Sequence, residues 1–496
     1  PFFPDKIYIN ETVHIFITYN HNKNNAKYFS GRNNMNYKTS NLMNKYRSKL
    51  ITSEKAAQLV KNRDKLSYGS FHTKPVAFDI ALAGRIGAGE ITKLDVTIIG
   101  TILPPPQVLL KMAEMNDKGD FGYHTSWYGP LERMIASKGV VSFIPVMFQD
   151  TVRTRTEPLW DDSLRRDVTV IQATSMDQFG NFNFGISNAH VRRDMLNTKI
   201  KIVEVNTNFP IVHGGSEESL NIDEIDYIIE GTNPEMFCIP HIEPTEEEVK
   251  IAENIIPLIK NGDCLQLGIG GIPNAIGKMI AKSDLKDLGV NSEMFCDAFY
   301  DMYMAGKITN MKKKRDLGKS VFTFSLCTKE TMEFLNNNPL MASNNGDYVT
   351  EYSMLAAEDN MFAINSTLEM DLVGQCVSET IGSVQYSGVG GALSFTWGCY
   401  QSKGGTAVLC LPSTFRDKEG KLHSKIKAAL TPGSVVTIPR SVVSTIATEY
   451  GAVNIKALSL WNRTEAIINV AHPDFRDELV REAQKMNIWR KSNKIG

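Results

Sequence analysis

The sequence predicts an α/β fold built from two similar open domains, each with a mostly parallel sheet. Short apolar runs, which are typical of strands covered on both faces, alternate with amphipathic helical segments along the chain of 496 residues. A chain of this length exceeds what one ordinary hydrophobic core supports. The same succession of helix, turn, strand and glycine also occurs in each half, which indicates one domain used twice.

The repeat is clearest in two stretches, SEKAAQLVKNRDKLSYG at 53–69 and AENIIPLIKNGDCLQLG at 252–268. Each is typical of an amphipathic helix, a Lys-Asn-x-Asp turn and a strand that ends in glycine. A loop that contains proline follows in both, and then a helical stretch and a second apolar strand, at 95–103 or 288–294. Further strands are predicted at three apolar runs: Lys199–Val205, Val408–Leu411 and Ser434–Ile438.

A linker is predicted between the halves, because GTNPEMFCIPHIEPTEEE at 231–248 combines three prolines, a glycine and a run of glutamates. We therefore predict a first half at 45–235, a linker at 236–248 and a second half at 249–496. Residues 1–44 are crowded with Asn, Lys and aromatic residues at their start, and we expect an extension outside the fold.

The composition excludes several classes of function. Lysine and arginine number 54 and aspartate and glutamate 55, so no broad positive field is available for nucleic acid. The seven cysteines contain no Cys-x-x-Cys pair, which argues against a zinc site or a disulfide framework and favours a reducing cytoplasm. No apolar run approaches the ~20 residues that span a bilayer, so no membrane segment is expected. The histidine spacing predicts no metal site.

Ligands of parallel sheets bind outside the carboxyl ends of the strands, so the glycine-rich loop after the predicted strand at 264–267 is a candidate site. Its backbone amides are able to approach an anion or an oxyanion, although a plain tight turn has the same pattern. A dinucleotide fingerprint is a further alternative, which Pro273 weakens because a small residue is wanted there. The loop residues are Gly268, Ile269, Gly270 and Gly271.

Glu293 lies at the end of the apolar strand predicted at 288–294 and outside any regular alternation. Its carboxylate is a candidate nucleophile, although a lone glutamate is more often a surface or capping residue. A second glycine cluster, with Gly388, Gly390 and Gly391, precedes a turn that contains Lys403 and Gly404. Backbone amides of these turns fit a shared ligand, and ordinary turns have the same pattern.

Two further features of the first half are ambiguous. His72, in the loop SFHTKP, is placed either to contact a substrate or to satisfy its own turn. The aromatic run HTSWYG at 124–129 is suited to line an acyl pocket and equally suited to form a packed turn.

Together these residues resemble the family I CoA-transferases, most closely the group of butyryl-CoA:acetate and 4-hydroxybutyrate CoA-transferases. The resemblance covers about residues 45–494. It is carried by motifs in the family's order: LGIGGIPNAIG (267–277), DLGVNSEMFCDA (287–298), INSTLEMDLVGQ (364–375), SGVGG (387–391), SKGG (402–405) and AHPDFRDEL (471–479).

The resemblance implies a duplicated CoA-transferase fold with its active site at the interface of the halves. It implies that Glu293 attacks the thioester, and that loop 268–271 and the glycines at 388–391, with Gln266 beside them, contact CoA and the oxyanion. The family's last cluster usually continues Gly-Gly-Gln-x-Asp-Phe, whereas this chain has Gly391-Ala-Leu-Ser-Phe395, so the chain-length preference is not implied.

The implied activity is reversible transfer of CoA between a short-chain, unbranched acyl-CoA, such as butyryl-CoA, and a carboxylate such as acetate. The reaction would be ping-pong, through an acyl-glutamyl anhydride and a glutamyl-CoA thioester, with no cofactor beyond CoA and with a homodimer as the assembly. An acyl-CoA hydrolase using the same site, an NAD-dependent dehydrogenase and a non-catalytic CoA-binding protein are the alternatives. Turnover of acyl-CoA with acetate and without a cofactor distinguishes these.

Overall fold

The computed structural model describes residues 32–156 and 165–496. It contains two large α/β units, each with a mostly parallel sheet, so the predicted fold class is confirmed. Within the described residues, no helix is long and apolar enough to cross a membrane.

Within residues 32–156 and 165–235, the first half contributes nine strands. They are β1 (Lys65–Ser70), β2 (Leu94–Ile99), β3 (Phe121–Thr125), β4 (Val141–Phe143), β5 (Arg166–Ala173), β6 (Asn181–Asn183), β7 (Thr198–Val205), β8 (Ser219–Asn221) and β9 (Tyr227–Glu230). Seven of them form one parallel sheet in the order β4-β3-β2-β1-β5-β7-β9, and β6 pairs with β8 as a separate ribbon. Helices cover both faces, which explains why the strands are continuous apolar runs.

In the described part of the first half, seven α-helices accompany this sheet. They are α1 (Arg32–Lys49), α2 (Ser53–Gln58), α3 (Ala77–Gly87), α4 (Gln107–Met115), α5 (Pro130–Ile135), α6 (Asp150–Thr156) and α7 (Val191–Leu196). The apolar faces of α2, α3 and α4 pack together over the sheet and form one buried core with β1, β2 and β3. Thr52 caps α2 because its hydroxyl accepts a hydrogen bond from the amide of Lys55.

The second half has a six-stranded sheet and several short ribbons. Its strands are β10 (Cys264–Leu267), β11 (Gly289–Val290), β12 (Met294–Phe295), β13 (Ser320–Phe322), β14 (Phe324–Ser325), β15 (Met341–Ser343), β16 (Met361–Ser366), β17 (Glu369–Asp371), β18 (Cys376–Val377), β19 (Thr380–Ile381), β20 (Val384–Gln385), β21 (Thr406–Cys410), β22 (Thr414–Arg416), β23 (Leu422–Ser424), β24 (Ile426–Lys427), β25 (Thr445–Thr448) and β26 (Gly451–Asn454). The large sheet has the order β11-β10-β16-β21-β25-β26 and is parallel except for β26.

Nine helices belong to the second half. They are α8 (Glu246–Ile255), α9 (Gly271–Lys282), α10 (Asp297–Met304), α11 (Lys329–Leu335), α12 (Gly346–Thr350), α13 (Tyr352–Ala356), α14 (Ala392–Gln401), α15 (Leu460–Asn469) and α16 (Pro473–Lys485). Helix α9 packs between α8 and α10, and all three share a buried core with β10 and β11.

The repeat seen in the sequence is present in the hydrogen bonds of the Lys-Asn-x-Asp turn. The carboxylate of Asp64 accepts from the amide of Lys61 at 2.8 Å, and that of Asp263 accepts from the amide of Lys260 at 2.8 Å. The residue before each aspartate has a left-handed backbone, with φ of 73° in one half and 84° in the other. The two halves therefore share this turn in atomic detail.

Two predicted strands differ from the structure. Ser434–Ile438 forms no strand, because Ser434 and Thr437 use their hydroxyls to bind the carboxylates of Glu369 and Glu379. The single strand expected at 288–294 is divided into β11 and β12, and Glu293 lies between them.

The predicted ends of the first half and of the linker also need correction. Helix α1 starts at Arg32, and Leu42 packs against the core that lies over β5 and β7, so part of the extension predicted at 1–44 belongs to the fold. Residues 1–31 lie outside the described residues. The glutamates at 246–248 begin α8, where Thr245 and Glu248 form a capping box, so the predicted linker ends earlier than residue 248. The remaining boundaries stay predictions.

The two halves meet at the carboxyl ends of the strands of the first sheet. The ring of Phe71, just after β1, stacks on that of Phe324 in the second half at 4.2 Å between centroids. Ile99, at the end of β2, and Phe148 belong to the same buried core as α9 and β10. One continuous apolar core therefore holds the halves together and places the loops of the first sheet beside those of the second.

Candidate active site

Glu293 is positioned by the edge of the second sheet. Strand β11 is parallel to β10, with Val290 opposite Leu265. Two residues further on, the hydroxyl of Ser292 donates to the carbonyl of Leu267 at 3.2 Å. The next residues along these two segments are Glu293 and Gly268. The glutamate therefore lies at the carboxyl edge of the sheet, beside the glycine-rich loop.

The backbone of Glu293 is held by the neighbouring ribbon. Its carbonyl accepts hydrogen bonds from the amide of Thr323 at 3.0 Å and from the hydroxyl of the same residue at 2.8 Å. The side chain is half-buried, and the loss of hydration around its carboxylate raises the pKa of Glu293 to about 8. A hydrogen bond from the backbone of Gly391 opposes this rise in pKa in part.

Gly391 lies directly against the carboxylate. A Cβ atom at this position would lie 2.0 Å from Oε2 of Glu293, so any other residue here would displace the carboxylate. Gly390, with φ of 56°, lies next to it in a left-handed conformation that favours glycine. The glycine cluster therefore brings backbone into direct contact with the carboxylate.

The first half fixes this glycine loop. The carbonyl of Gly390 accepts from the amide of Phe148 at 3.1 Å. A Cβ atom on Gly388 would lie 2.3 Å from the carbonyl oxygen of Ser126, so the loop packs closely on the turn after β3. Arg133 of α5 donates to the carbonyl of Tyr386 at 2.5 Å and lies over its ring. Both halves thus contribute to the surroundings of Glu293, in agreement with an active site at their interface.

The loop after β10 is open at its first three residues. A Cβ atom on Gly268 or Gly270 would meet nothing within 4 Å, and Ile269 is exposed. Gly271 differs, because a Cβ atom there would lie 2.0 Å from Oε2 of Glu248. The start of α9 is therefore already faced by a carboxylate of the protein, and residues 268–270 are the part of the loop that is accessible to a ligand.

Gln266 lies in β10 and is buried. Its side-chain amide is paired with that of Asn365 in β16: each donates to the other, at 3.2 and 2.9 Å. The pair fixes the orientation of both amides behind the glycine-rich loop.

Lys403 and Gly404 are not brought to this site. They precede β21, whose first residue, Thr406, is opposite Phe362 at the start of β16. They therefore lie at the amino edge of the sheet, separated from Gly268 by the length of a strand, about 13 Å for four residues. The amide of Asn360 donates to the carbonyl of Lys403 at 2.9 Å, and the role of SKGG in CoA binding stays a prediction.

His72 is buried, and both of its ring nitrogens have hydrogen-bond partners. Its two ring nitrogens lie 3.2 Å from the hydroxyl of Ser187 and 2.9 Å from the carbonyl of Phe237. Burial lowers the pKa of His72 to about 4, so the ring is neutral near pH 7. The alternative of a satisfied turn histidine, weighed from the sequence, is the one that the structure contains.

Three residues near the site were not identified as functional from the sequence: Thr323, Arg133 and Glu248. Each acts through a contact with a residue distant in the chain, which no local motif reveals. Trp127 lies beside Gly390, with Cζ3 3.6 Å from where a Cβ atom would be. It lies directly after β3, at the carboxyl end of a parallel strand, where ligands of such sheets bind.

Comparison with protein families gives two matches along the chain. Residues 33–242 match the acetyl-CoA hydrolase/transferase N-terminal domain, and residues 327–483 match the acetyl-CoA hydrolase/transferase C-terminal domain. The chain is 41% identical to a probable butyrate:acetyl-CoA coenzyme A-transferase of Syntrophomonas wolfei, over 92% of this chain and 99% of the relative. It is also 41% identical to a butyryl-CoA:acetate CoA-transferase of Anaerostipes caccae, over 90% and 99%.

Solved structures show the same fold. RipA from Yersinia pestis is 33% identical, with a TM-score of 0.81, over 90% of this chain and 99% of that one. A 4-hydroxybutyrate CoA-transferase from Porphyromonas gingivalis is 27% identical, with a TM-score of 0.71, over 89% and 98%. Sequence and fold agree over both halves, and the chain belongs to the acetyl-CoA hydrolase/transferase family.

Proposed function

We propose that this protein transfers coenzyme A reversibly between an acyl-CoA and a free carboxylate, with Glu293 as the covalent carrier. The observation that supports this most strongly is a half-buried carboxylate, with its pKa raised to about 8, that contacts the backbone of Gly391 beside an open glycine loop. Relatives that are 35–41% identical over about nine tenths of this chain are named as CoA-transferases.

The first chemical step forms an anhydride. An oxygen of the ionised Glu293 attacks the carbonyl carbon of the thioester, and the tetrahedral intermediate collapses with loss of CoA thiolate. Each intermediate carries an oxyanion, and a preorganised backbone amide is worth roughly 3 kcal/mol in stabilising such a charge. The amides of the open loop at 268–270 and of Gly391 are the donors that we assign to this role.

The second step moves CoA to the protein. The thiolate attacks the glutamyl carbonyl of the anhydride, the original acyl group leaves as a carboxylate, and a glutamyl-CoA thioester remains. A second carboxylic acid then attacks this thioester, and the same two steps run in reverse to give the new acyl-CoA. The energy of the thioester is retained in the anhydride and then in the glutamyl thioester, so we propose no cofactor other than CoA itself.

Burial of the nucleophile has a chemical purpose in this scheme. A carboxylate is a weak nucleophile in water, and partial removal of its hydration, which also raises its pKa, makes it more reactive. Limited access of water also protects the anhydride and the glutamyl thioester from hydrolysis. The balance between transfer and hydrolysis thus depends on how well the site is closed around Glu293.

For the substrates we propose short, unbranched acyl groups such as butyryl, and acetate as an acceptor, by analogy with the named relatives. The seven cysteines are free, and six of them are buried, which supports a reducing cytoplasm as the location. A homodimer remains a prediction from family resemblance, and light scattering in solution tests it.

The decisive experiment detects the covalent intermediate. Incubation with butyryl-CoA, without acceptor, is expected to leave CoA attached to the peptide that contains Glu293, as seen by mass spectrometry. Glu293→Gln removes the nucleophile and is expected to abolish both adduct and turnover, while circular dichroism stays unchanged. Glu379→Gln is the matched control, because that carboxyl also has a pKa raised by burial but binds Thr437. Normal turnover by Glu293→Gln, or an adduct on another glutamate, would contradict the proposal.

A further inference from the structure

Trp127 is held rigidly by the turn that follows β3. The hydroxyl of Thr125 accepts from the amide of Trp127 at 3.1 Å and donates to its carbonyl at 2.9 Å. Arg133 binds the carbonyl of Tyr128 at 3.2 Å and also that of Tyr386 in the second half. The turn is therefore fastened both to its own half and to the loop that precedes the glycine cluster.

The indole of Trp127 and the carboxylate of Glu293 lie close together beside Gly390. Cζ3 of the indole and Oε1 of the glutamate both lie within 4 Å of the point where a Cβ atom of Gly390 would be. The two atoms are thus at most about 8 Å apart, so no more than one layer of carbon atoms fits between them at contacts of about 3.5–4.0 Å.

Trp127 does not support the hydrophobic core. Its side chain is 38% exposed. Among the described residues, it belongs to none of the buried apolar clusters. An aromatic residue fixed by its backbone, outside the core and beside a nucleophile, presents an apolar surface that is free to contact a ligand.

We propose that Trp127 is a specificity-determining residue that forms one wall of the acyl site. This inference rests on the proposed function and adds the residue that selects the substrate. The planar thioester and the first carbons of an unbranched chain fit between the indole and the carboxylate. A branch at the carbon next to the thioester carbonyl adds a second layer of atoms, for which this space is too narrow.

The test compares butyryl-CoA with isobutyryl-CoA as donors and acetate as acceptor. In the unsubstituted protein the ratio of kcat/KM is expected to favour butyryl-CoA. Trp127→Ala is expected to lower that preference at least about tenfold, since one carbon in an apolar pocket is worth 10–200-fold. Trp127→Phe keeps a flat ring and is expected to retain most of the preference. Trp461→Ala is the matched control, because Trp461 is also exposed, at 46%, and lies in α15.

The outcomes separate the two proposals. If Trp127→Ala keeps a ratio within twofold of the unsubstituted protein, or if Trp461→Ala changes it equally, this inference is overturned and the function of Glu293 is untouched. If the unsubstituted protein forms no adduct on Glu293, both fail. If Trp127→Ala does not fold, the same ratio of kcat/KM is measured on Trp127→Leu, which keeps a larger side chain. A preference for butyryl-CoA unchanged from the unsubstituted protein then overturns the inference.

Discussion

The strands β1 and β10 are preceded by the same turn, but the loops that follow them differ in their surroundings. Before each strand, the Lys-Asn-x-Asp turn has the same hydrogen bond and the same left-handed residue. After β1, however, the loop is filled: Phe71 packs on Phe324, and Gly69 has the hydroxyl of Thr73 against it. After β10, Gly268 and Gly270 have open space around them.

The starts of the two following helices show the same contrast. Glu204 is fully buried and accepts hydrogen bonds from the amides of Val76, Ala77 and Phe78 at 2.9–3.0 Å, so the protein itself occupies the positive end of α3. At α9 a carboxylate also approaches, that of Glu248, but it covers only Gly271. In the first half, the loop after the strand is thus packed and its helix start is occupied by the protein. In the second half, the corresponding loop remains accessible to a ligand.

We expect the largest loss of activity from a substitution at Gly391, which lies where the two halves meet. Gly391→Ala places a Cβ atom where Oε2 of Glu293 now lies and displaces the carboxylate. A misplacement of about 1 Å costs roughly 100-fold in rate, so we expect kcat for CoA transfer to fall by that factor or more. Gly84→Ala, in α3 with no atom within 4 Å of the new Cβ, is the control and should retain full activity. Near-normal kcat in Gly391→Ala would show that the carboxylate does not act from this position.

The filled loop of the first half is expected to matter for stability. Glu204→Ala leaves three amides at the start of α3 without their acceptor, and each buried unpaired donor costs about 1–3 kcal/mol. We expect the free energy of unfolding, measured with urea, to fall by about 3 kcal/mol or more. Glu230→Ala, at the exposed end of β9, is the comparison and should have a smaller effect. A loss below about 1 kcal/mol in Glu204→Ala would mean that water replaces the carboxylate at no great cost.

The pH dependence tests the open half. Because the pKa of Glu293 is raised to about 8 and the ionised form is the nucleophile, adduct formation should increase about tenfold per pH unit below pH 7 and level off above pH 8. The folded state keeps this proton more tightly than the unfolded chain does. The stability that this group contributes is therefore present below pH 4.5 and is lost as the pH rises through about 8.

Stopped-flow or quenched-flow rates of adduct formation between pH 6 and pH 9 measure this profile. Glu293→Gln should remove the matching pH dependence of the melting temperature. A rate that is flat over the whole range would show that the carboxylate is ionised well below neutral pH, and thus better solvated than its position indicates.

The sequence predicted the fold class and the duplication because both depend on local patterns. The strand at 264–267 and the helix after Pro273 follow from apolar periodicity and from proline in a first helical turn. Glu293 was identified by its motif. Its raised pKa depends on burial and on the backbone of Gly391, about a hundred positions away, and could not be predicted locally.

The sequence could not place Lys403, Gly404 and His72 for one common reason. Lys403 and Gly404 form a glycine-containing turn like those at the site, but they enter a parallel strand, whereas the loop at 268–270 leaves one. Only the direction of the strand decides which edge of the sheet a turn occupies. Likewise, His72 looks exposed in a loop sequence, but its buried ring is bound by the carbonyl of Phe237, 165 positions further along the chain.

The smallest expected effect concerns the feature that the halves share. Asp64→Ala and Asp263→Ala each remove the acceptor for one turn amide, that of Lys61 or Lys260, and the loss of such a bond costs about 1 kcal/mol. Because one continuous core joins the halves, we expect a single unfolding transition in which the costs of the two changes add, to about 2 kcal/mol in the double variant. Activity should not change in either single variant, since neither turn contacts the site: both lie before the amino ends of β1 and β10. Urea denaturation and transfer assays on the three variants provide both numbers.

Equal costs would show that the turn serves the same purpose in both halves, so that the difference between them arises only in the loops beyond the strands. A cost confined to Asp263→Ala, whose carboxyl is the more buried of the two, would instead show that the second half governs the stability of the whole molecule.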